Sequence, residues 1–411
     1  MYLDKIGGES HFPKKTPIQS KTSPGSQNHI SSQTILGTSI TGQSCYVDMG
    51  KFYGNNIWNC MDWSKTPGTI STDLLNKGFL GNFFTQLKNE GVNKIDLSFA
   101  QISDINNLYQ DSLMPPQGNG TAYSATDSFQ QVLHSVDSSG KAYSEPPYAV
   151  TNKNGLEVAP NFLSYLIHEA HVQGIKVDLS FGGGSASATD PKLPCDPTTA
   201  ANNLSDMMKN FDFDSVDFDI ENQFLAKDNS ANDLNTFFTT LHQNLSAQGK
   251  ESTVTLMGGA LNDHANYGAL TDNLTSKFDS VNLMLYSTTQ YYLSAKPNNV
   301  WPGVEAWIQA VGGDASRLHL GFYDSIPYET AAANGDGSTY QIQPGSSRGQ
   351  AAAQIYQQLS NELEQDGYTG NGKPPLGQPF FWIDTPGDPN SAQVMQDFYN
   401  TLKGVSKNPW S

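Results

Sequence analysis

Asp214-Ser215-Val216-Asp217-Phe218-Asp219-Ile220-Glu221 is the stretch on which the reading of this chain turns. Asp217, Asp219 and Glu221 share one period-two face, and Val216, Phe218 and Ile220 share the other. A strand that packs its apolar face against a core would then carry three carboxylates in a row on the opposite face. Such a row is costly inside a protein, because neighbouring like charges cannot all ionise cheaply. Three uses could justify it: acid–base chemistry, a metal, or a structural acidic edge. A calcium loop needs irregular backbone and usually Gly at its sixth position. This stretch carries β-branched and aromatic residues instead, which suit a strand. An acidic edge would not alternate with Val, Phe and Ile. Acid–base chemistry fits best, and no metal or other cofactor is expected.

At ~3.3 Å per residue, Asp219 and Glu221 lie roughly 7 Å apart at Cα on one face. Carboxylate pairs that cleave glycosidic bonds flank the scissile bond from opposite sides. Neighbours on one strand approach from the same side. Glu221 could protonate a leaving oxygen, but Asp219 is badly placed to attack the far face of a sugar. The nucleophile must come from elsewhere, and a 2-acetamido carbonyl on the substrate itself would serve.

Asp214, Asp217, Asp219 and Glu221 resemble the D-x-x-D-x-D-x-E signature of the family 18 glycoside hydrolases, the chitinases and their relatives. The resemblance implies a (β/α)8 barrel with this motif ending its fourth strand. It implies that Glu221 is the general acid/base, that Asp219 orients and charges the acetamido group, and that Asp217 shares a proton deeper in the barrel. Ser180-Phe181-Gly182-Gly183 looks like the family's S-x-G-G at the end of the third strand, where Gly permits close backbone approach. Met284-Leu285-Tyr286 resembles its M-x-Y, whose Tyr bonds the acetamido carbonyl. Phe380-Phe381-Trp382-Ile383-Asp384 looks like the eighth strand, whose Trp floors the sugar subsite. With Trp382, the resemblance places Met284, Ser287, Phe99 and Ser180 against the substrate. Two positions depart from the pattern: Ser215 stands where the family usually has Gly, and Ser287 where it commonly has Asp or Asn. The shorter, uncharged Ser287 would leave Glu221 in a different field.

Strand-like and helix-like stretches alternate outward from this centre. Candidate strands cover 45–49, 94–100, 175–180, 214–221, 252–257, 279–286, 317–322 and 380–383. Helical spacing covers 72–90, 157–173 (closed by Gly174), 197–210, 233–246, 303–311, 350–365 and 392–402. Residues 101–156 read as a long polar loop. Eight strands with helices in nearly every gap fit one (β/α)8 barrel over 44–411 better than a doubly wound open sheet. Little room remains for an inserted domain between the last two strands, so a shallow groove is expected. Sugar sites add aromatics that stack on ring faces. Tyr291, Tyr292 and Trp58 are candidate subsite walls, whereas Trp307 sits within a helical stretch and is expected in the core.

A net charge of −17 on 411 residues argues against nucleic acid, whose phosphates it would repel. Cys45, Cys60 and Cys195 make an odd count with no metal-binding spacing, and buried free thiols are expected, with a Cys45–Cys60 pair as the alternative. No apolar run is long enough to cross a bilayer, so no membrane partner is expected. Residues 1–43 are polar, rich in Pro, Gly, Ser and Gln, and are expected to be a disordered leader. They lack the apolar stretch of a secretory signal. Export by a non-classical route is the expectation, with a cytoplasmic location as the alternative.

Together with these observations, the resemblance implies a retaining glycosidase acting on β-1,4-linked N-acetylglucosamine polymers, and a monomer is expected. Two alternatives stand beside it: cleavage of the N-glycan chitobiose core, and a chitinase-like lectin that binds without cutting. Loss of the acid would be the mark of such a lectin, and Glu221 is present.

Overall fold

The alternation of polar and apolar residues along residues 214–221 recurs in the neighbouring strands, and it settles which side of each strand meets the helices. The computed structural model describes residues 40–48, 79–113, 150–151, 157–158, 162–184, 192–221, 229–284, 286, 302–324, 342–382 and 389–403. Eight parallel strands close into a barrel: β1 (Gln43–Asp48), β2 (Val92–Ala100), β5 (Lys176–Gly182), β6 (Ser215–Ile220), β7 (Glu251–Met257), β8 (Ser280–Met284), β9 (Leu318–Tyr323) and β10 (Phe380–Trp382). Each pairs with its sequence neighbours around the ring, and β1 pairs with β10 to seal it. A separate antiparallel pair, β3 (Val150–Thr151) and β4 (Glu157–Val158), stands outside the ring. The expected (β/α)8 architecture is the one observed.

The outward faces of the strands carry the apolar residues. Phe218 of β6 meets Phe237 and Phe238 of α5 (Ala231–Ala247) with ring centroids 5.9 and 4.9 Å apart. Phe181 of β5 stacks beside it at 5.7 Å. On the far side Phe322 of β9 and Phe381 of β10 meet Phe398 of α9 (Pro389–Lys403) at 5.1 and 5.0 Å. The inward faces are mostly polar, which is unusual for barrels, whose interiors are commonly filled by branched apolar side chains. Tyr46, Asp96, Asp178, Asp217, Thr255 and Asn282 are all buried there. Each of these polar groups loses its hydration, so the interior has to supply its own hydrogen bonds.

Most helices follow from local chemistry. α4 (Pro197–Phe211) starts with Asp196 accepting the Thr199 N–H at 3.0 Å and with Pro197 in its first turn, where a missing N–H costs nothing. α8 (Arg348–Gln365) opens on a reciprocal cap between Ser347 and Gln350. α1 (Phe79–Asn89) and α7 (Val304–Ala310) lie within the expected helical stretches. Trp307 of α7 is fully buried and donates its indole N–H to the Gly258 carbonyl at 3.1 Å.

Three expectations need correction. Residues 105–113 form a helix, α2 (Ile105–Leu113), inside the stretch read as loop. Its apolar stripe is thin, and Ile105 and Leu108, one turn apart, bury it. Glu157 and Val158 are strand rather than the start of a helix, because β3 supplies a pairing partner; α3 (Phe162–Val172) begins only at residue 162. A helix also fills the gap between β7 and β8: α6 (His264–Thr271) has Gly268 in its middle and is held by burial of Tyr267 and Leu270 rather than by propensity. Between β9 and β10 the described residues hold α8 and the connection that follows it; residues 325–341 lie outside the described set, as do 1–39, which contain most of the expected leader. No helix among the described residues is long and apolar enough to cross a membrane. Cys45 is buried and free and Cys195 is half-buried and free, whereas Cys60 is outside the described residues.

Glu90, between α1 and β2, is only 3% exposed, and burial pushes its carboxyl from 4.5 to about 7 against the opposing influence of Gln86. The folded state then holds a proton between pH 4.5 and 7 that the unfolded chain releases. The stability this adds is complete below pH 4.5 and is lost as pH rises through 7. At ~1.4 kcal/mol per pKa unit, the effect is on the order of 3 kcal/mol. Glu90→Gln is therefore expected to gain stability relative to wild type on moving from pH 4.5 to pH 8. Denaturant unfolding at both pH values measures this, and an equal difference at the two would refute it.

Candidate active site

The site is built at the C-terminal ends of the barrel strands, where barrel chemistry gathers. Asp217 lies deepest. Its Oδ2 accepts hydrogen bonds from Ser180 Oγ at 2.6 Å and Tyr46 Oη at 2.9 Å, and its Oδ1 accepts from Thr255 Oγ1 at 2.7 Å. The parallel register explains this convergence, since Ser180 and Thr253 flank Asp217 in the ladder and Thr255 lies two residues up β7. Burial pushes the Asp217 carboxyl up to about 6, while the three hydroxyls and then Lys94 hold it from going higher.

Asp219, two residues on, is 2% exposed, and its Oδ1 has no hydrogen-bond partner among the described residues. Its pKa stands well above the usual carboxylate range, first through burial and then through the charges of Glu221 and Asp217. Glu221 follows the last residue of β6 and is half-buried at the mouth of the barrel. Burial raises its pKa as well, against the Gly184 N–H, which favours the anion. A Cβ on Gly184 would come within 3.2 Å of Glu221 Oε2, so the backbone after β5 approaches the acid closely. The row is thus graded: a hydroxyl-bound carboxyl at the bottom, an under-bonded one in the middle and a half-open one at the rim.

Aromatic rings surround the row. Trp382 of β10 and Phe99 of β2 stack 5.6 Å apart with their planes 13° from parallel. Tyr46 lies 5.6 Å from Trp382, and Tyr286 lies 5.9 Å from Tyr323 of β9. Tyr46, Met284 and Phe380 form a small buried cluster apart from the main core, with Phe99, Met257, Tyr286 and Trp382 packed on it. Gly183 adopts φ +80°, and a Cβ there would sit 2.6 Å from the Phe99 ring. Glycine is what lets that ring lie beside the row.

The structure brings Asp217, Asp219, Glu221, Ser180, Gly182, Gly183 and Phe99 together with Met284, Tyr286 and Trp382. Ser287, Tyr291, Tyr292 and Trp58 lie outside the described residues. Asp214 faces the other way. Its Oδ2 accepts the Val177 N–H at 2.8 Å and lies 2.7 Å from His171 Nε2, tying the start of β6 to β5 and α3. Sequence reading overlooked Tyr46, Thr255 and Asn282. Their signal was available, since Ser44, Tyr46 and Asp48 alternate with Cys45 and Val47 as the acids do in β6.

These arrangements can be set beside known proteins. The family model described as glycosyl hydrolases family 18 matches residues 73–395. Among solved structures, a GH18 chitinase from Pseudoalteromonas aurantia is 15% identical over 89% of this chain and 100% of its own, with a TM-score of 0.44. Catalytic domain 2 of the Ostrinia furnacalis group II chitinase is 13% identical over 90% of this chain and 98% of its own, with a TM-score of 0.47. The catalytic domain of the psychrophilic chitinase B from Arthrobacter TAD20 is 15% identical over 89% of this chain and 96% of its own, at 0.43. No curated protein sequence matches. The family model spans both the S-x-G-G and acidic strands and reaches beyond the Trp382 strand, so the chain belongs to the glycosyl hydrolases family 18.

Proposed function

We propose that this protein is a retaining glycosidase that cleaves β-1,4-linked N-acetylglucosamine polymers with the substrate's own acetamido group as nucleophile. The observation that carries this reading is the graded carboxylate row, with a buried Asp219 oxygen that no described protein group satisfies. A buried acceptor left without a donor is costly. An acetamido N–H held over Trp382 would supply the donor.

In this mechanism Glu221 gives its proton to the glycosidic oxygen as the bond to C1 breaks. The acetamido carbonyl oxygen bonds to C1 from the opposite face and closes an oxazolinium ion. Asp219 accepts the acetamido N–H, fixes the carbonyl oxygen under C1 and offsets the positive charge that develops on the nitrogen. Asp217 and Asp219 hold one proton between them, because two adjacent anions in this interior would repel. The hydroxyls of Tyr46, Ser180 and Thr255 stabilise Asp217 when the proton sits on Asp219 or has left. Water then opens the oxazolinium ion with Glu221 acting as base, and the anomeric configuration is retained.

Incubation with chitotetraose, cellotetraose and a high-mannose glycopeptide, with products read by mass spectrometry, tests the reading. Cleavage of chitotetraose alone is expected, with strong inhibition by thiazoline analogues of the cyclised intermediate. Cellotetraose has no acetamido group, so its cleavage at a comparable rate would remove substrate assistance. Cleavage of the glycopeptide in preference to chitotetraose would move the substrate to the N-glycan core.

A further inference from the structure

A second charged layer lies beneath the catalytic row, on the same inward faces of β2 and β5. Lys94 places its Nζ 2.7 Å from Asp178 Oδ2 and 3.7 Å from Asp96 Oδ1, with its own side chain only 12% exposed. Asp96 and Asp178 are ladder partners, both fully buried. Neither oxygen of Asp96 accepts a hydrogen bond among the described residues. None of these three groups touches the mouth of the barrel, and the mechanism above uses none of them.

A hydrogen-bonded chain from β9 reaches the row beside this layer. His319 Nδ1 lies 3.0 Å from Asn282 Oδ1, Asn282 Nδ2 donates to Tyr46 Oη at 3.2 Å, and Tyr46 Oη donates to Asp217 at 2.9 Å. Tyr46 is also the ladder partner of Asp96. Lys94 favours the Asp217 anion through space, and charges in a dry interior act on one another strongly because little water screens them.

We propose that Lys94 is a positioning residue that sets the proton count of the Asp217–Asp219 pair, as the buried counter-cation of the whole carboxylate stack. Among the side chains described, five carboxyls face this interior: Asp96, Asp178, Asp217, Asp219 and, at the rim, Glu221. From the remaining strands Asp217 meets neutral donors, Tyr46 on β1, Ser180 on β5 and Thr255 on β7, and Asn282 on β8 donates in turn to Tyr46. His319 on β9 carries no charge at working pH, because burial and then the nearby Lys94 push its pKa down to about 3. Burial opposes the charge on Lys94 itself, but Asp178 and Asp96 more than offset it and hold its pKa above the usual lysine range. Lys94 thus stays charged through the pH range in which the row works. Without it, one more proton must enter the stack, and Asp217 ionises less readily. With the lower carboxyls removed instead, the row becomes the partner of Lys94 and ionises more readily.

This rests on the proposed mechanism only in its kinetic form, so the test has two independent readouts. The first is carboxyl NMR of protein labelled with 13C-aspartate, with the Asp217 resonance identified by its loss in Asp217→Asn. Relative to wild type, Lys94→Met is expected to move the Asp217 midpoint to higher pH by roughly half a unit or more, the sense expected when an opposite charge is withdrawn. The double variant Asp96→Asn/Asp178→Asn is expected to move it to lower pH, and it keeps the test decisive if Lys94→Met does not fold. The second readout is the acidic limb of the pH–rate profile on chitotetraose, which should move in the same two directions. A merely structural role would lower stability or rate without shifting either midpoint in opposite senses. An Asp217 midpoint unmoved in the variants that fold overturns the proposal. If wild type cleaves no substrate, the functional reading falls, while the NMR titration still decides the role of Lys94.

Discussion

Glu221→Gln is expected to reduce chitotetraose turnover by ~10² to 10⁴-fold, the range of a single general acid–base contribution. The amide keeps the shape of the side chain at the rim of β6 and can still interact with the Gly184 N–H. It cannot deliver a proton to the glycosidic oxygen or take one from water. The aromatic floor of Trp382 and Phe99 is untouched by the change, so oligosaccharide binding should stay within a few-fold of wild type. Turnover on chitotetraose and calorimetric binding to the same sugar measure the two halves of this expectation. A variant that kept more than about half the wild-type rate would mean that another group supplies the proton.

Asp219→Asn is expected to cost roughly tenfold to a thousandfold in rate, in the range of one electrostatic or acid–base contribution. The substitution removes the anion that would face the acetamido nitrogen as it gains charge. It also acts on Glu221. Burial raises the pKa of Glu221, and the Glu221 charge raises that of Asp219; repulsion between two like charges is mutual. Removing the Asp219 charge makes Glu221 easier to deprotonate, so the basic limb of the pH–rate profile should move to lower pH. The acidic limb should change too, because the proton shared by Asp217 and Asp219 loses one of its two sites. A profile identical to wild type would mean that Glu221 works without the carboxylate row. Asp214, bonded to Val177 and His171 on the opposite side of the strand start, offers a contrast: its loss should lower stability more than rate.

Much of the architecture was open to a reader of the residues. Period-two alternation in Lys94–Ala100, Ile175–Ser180 and Asp214–Glu221 marks strands with one apolar face, and helical spacing between them marks the crossovers. Helix ends were legible where a side chain caps them, as Asp196 and Ser347 do. The failures share a cause. α6 has little amphipathic signal of its own, the short apolar stripe of α2 (Ile105, Leu108 and Tyr109) is set in a long polar stretch, and β4 exists because β3 lies within reach; in each, a contact from elsewhere in the chain completes the element.

By itself the sequence determined that three acids share one strand face, that this strand sits among βα units, and that Glu221 stands at its C-terminal end. These are consequences of local periodicity, which depends only on backbone geometry. Tertiary structure decided which groups those acids meet. Thr255 reaches Asp217 through the pairing of β7 with β6, and Tyr46 reaches it across 171 residues of chain, from a strand that pairing with β2 and β10 sets in the ring. Pairing of β2 with β5 seats Lys94 against Asp178 across 84 residues. A carboxylate's charge depends on its burial and on the partners that surround it, and both arise only when the barrel closes.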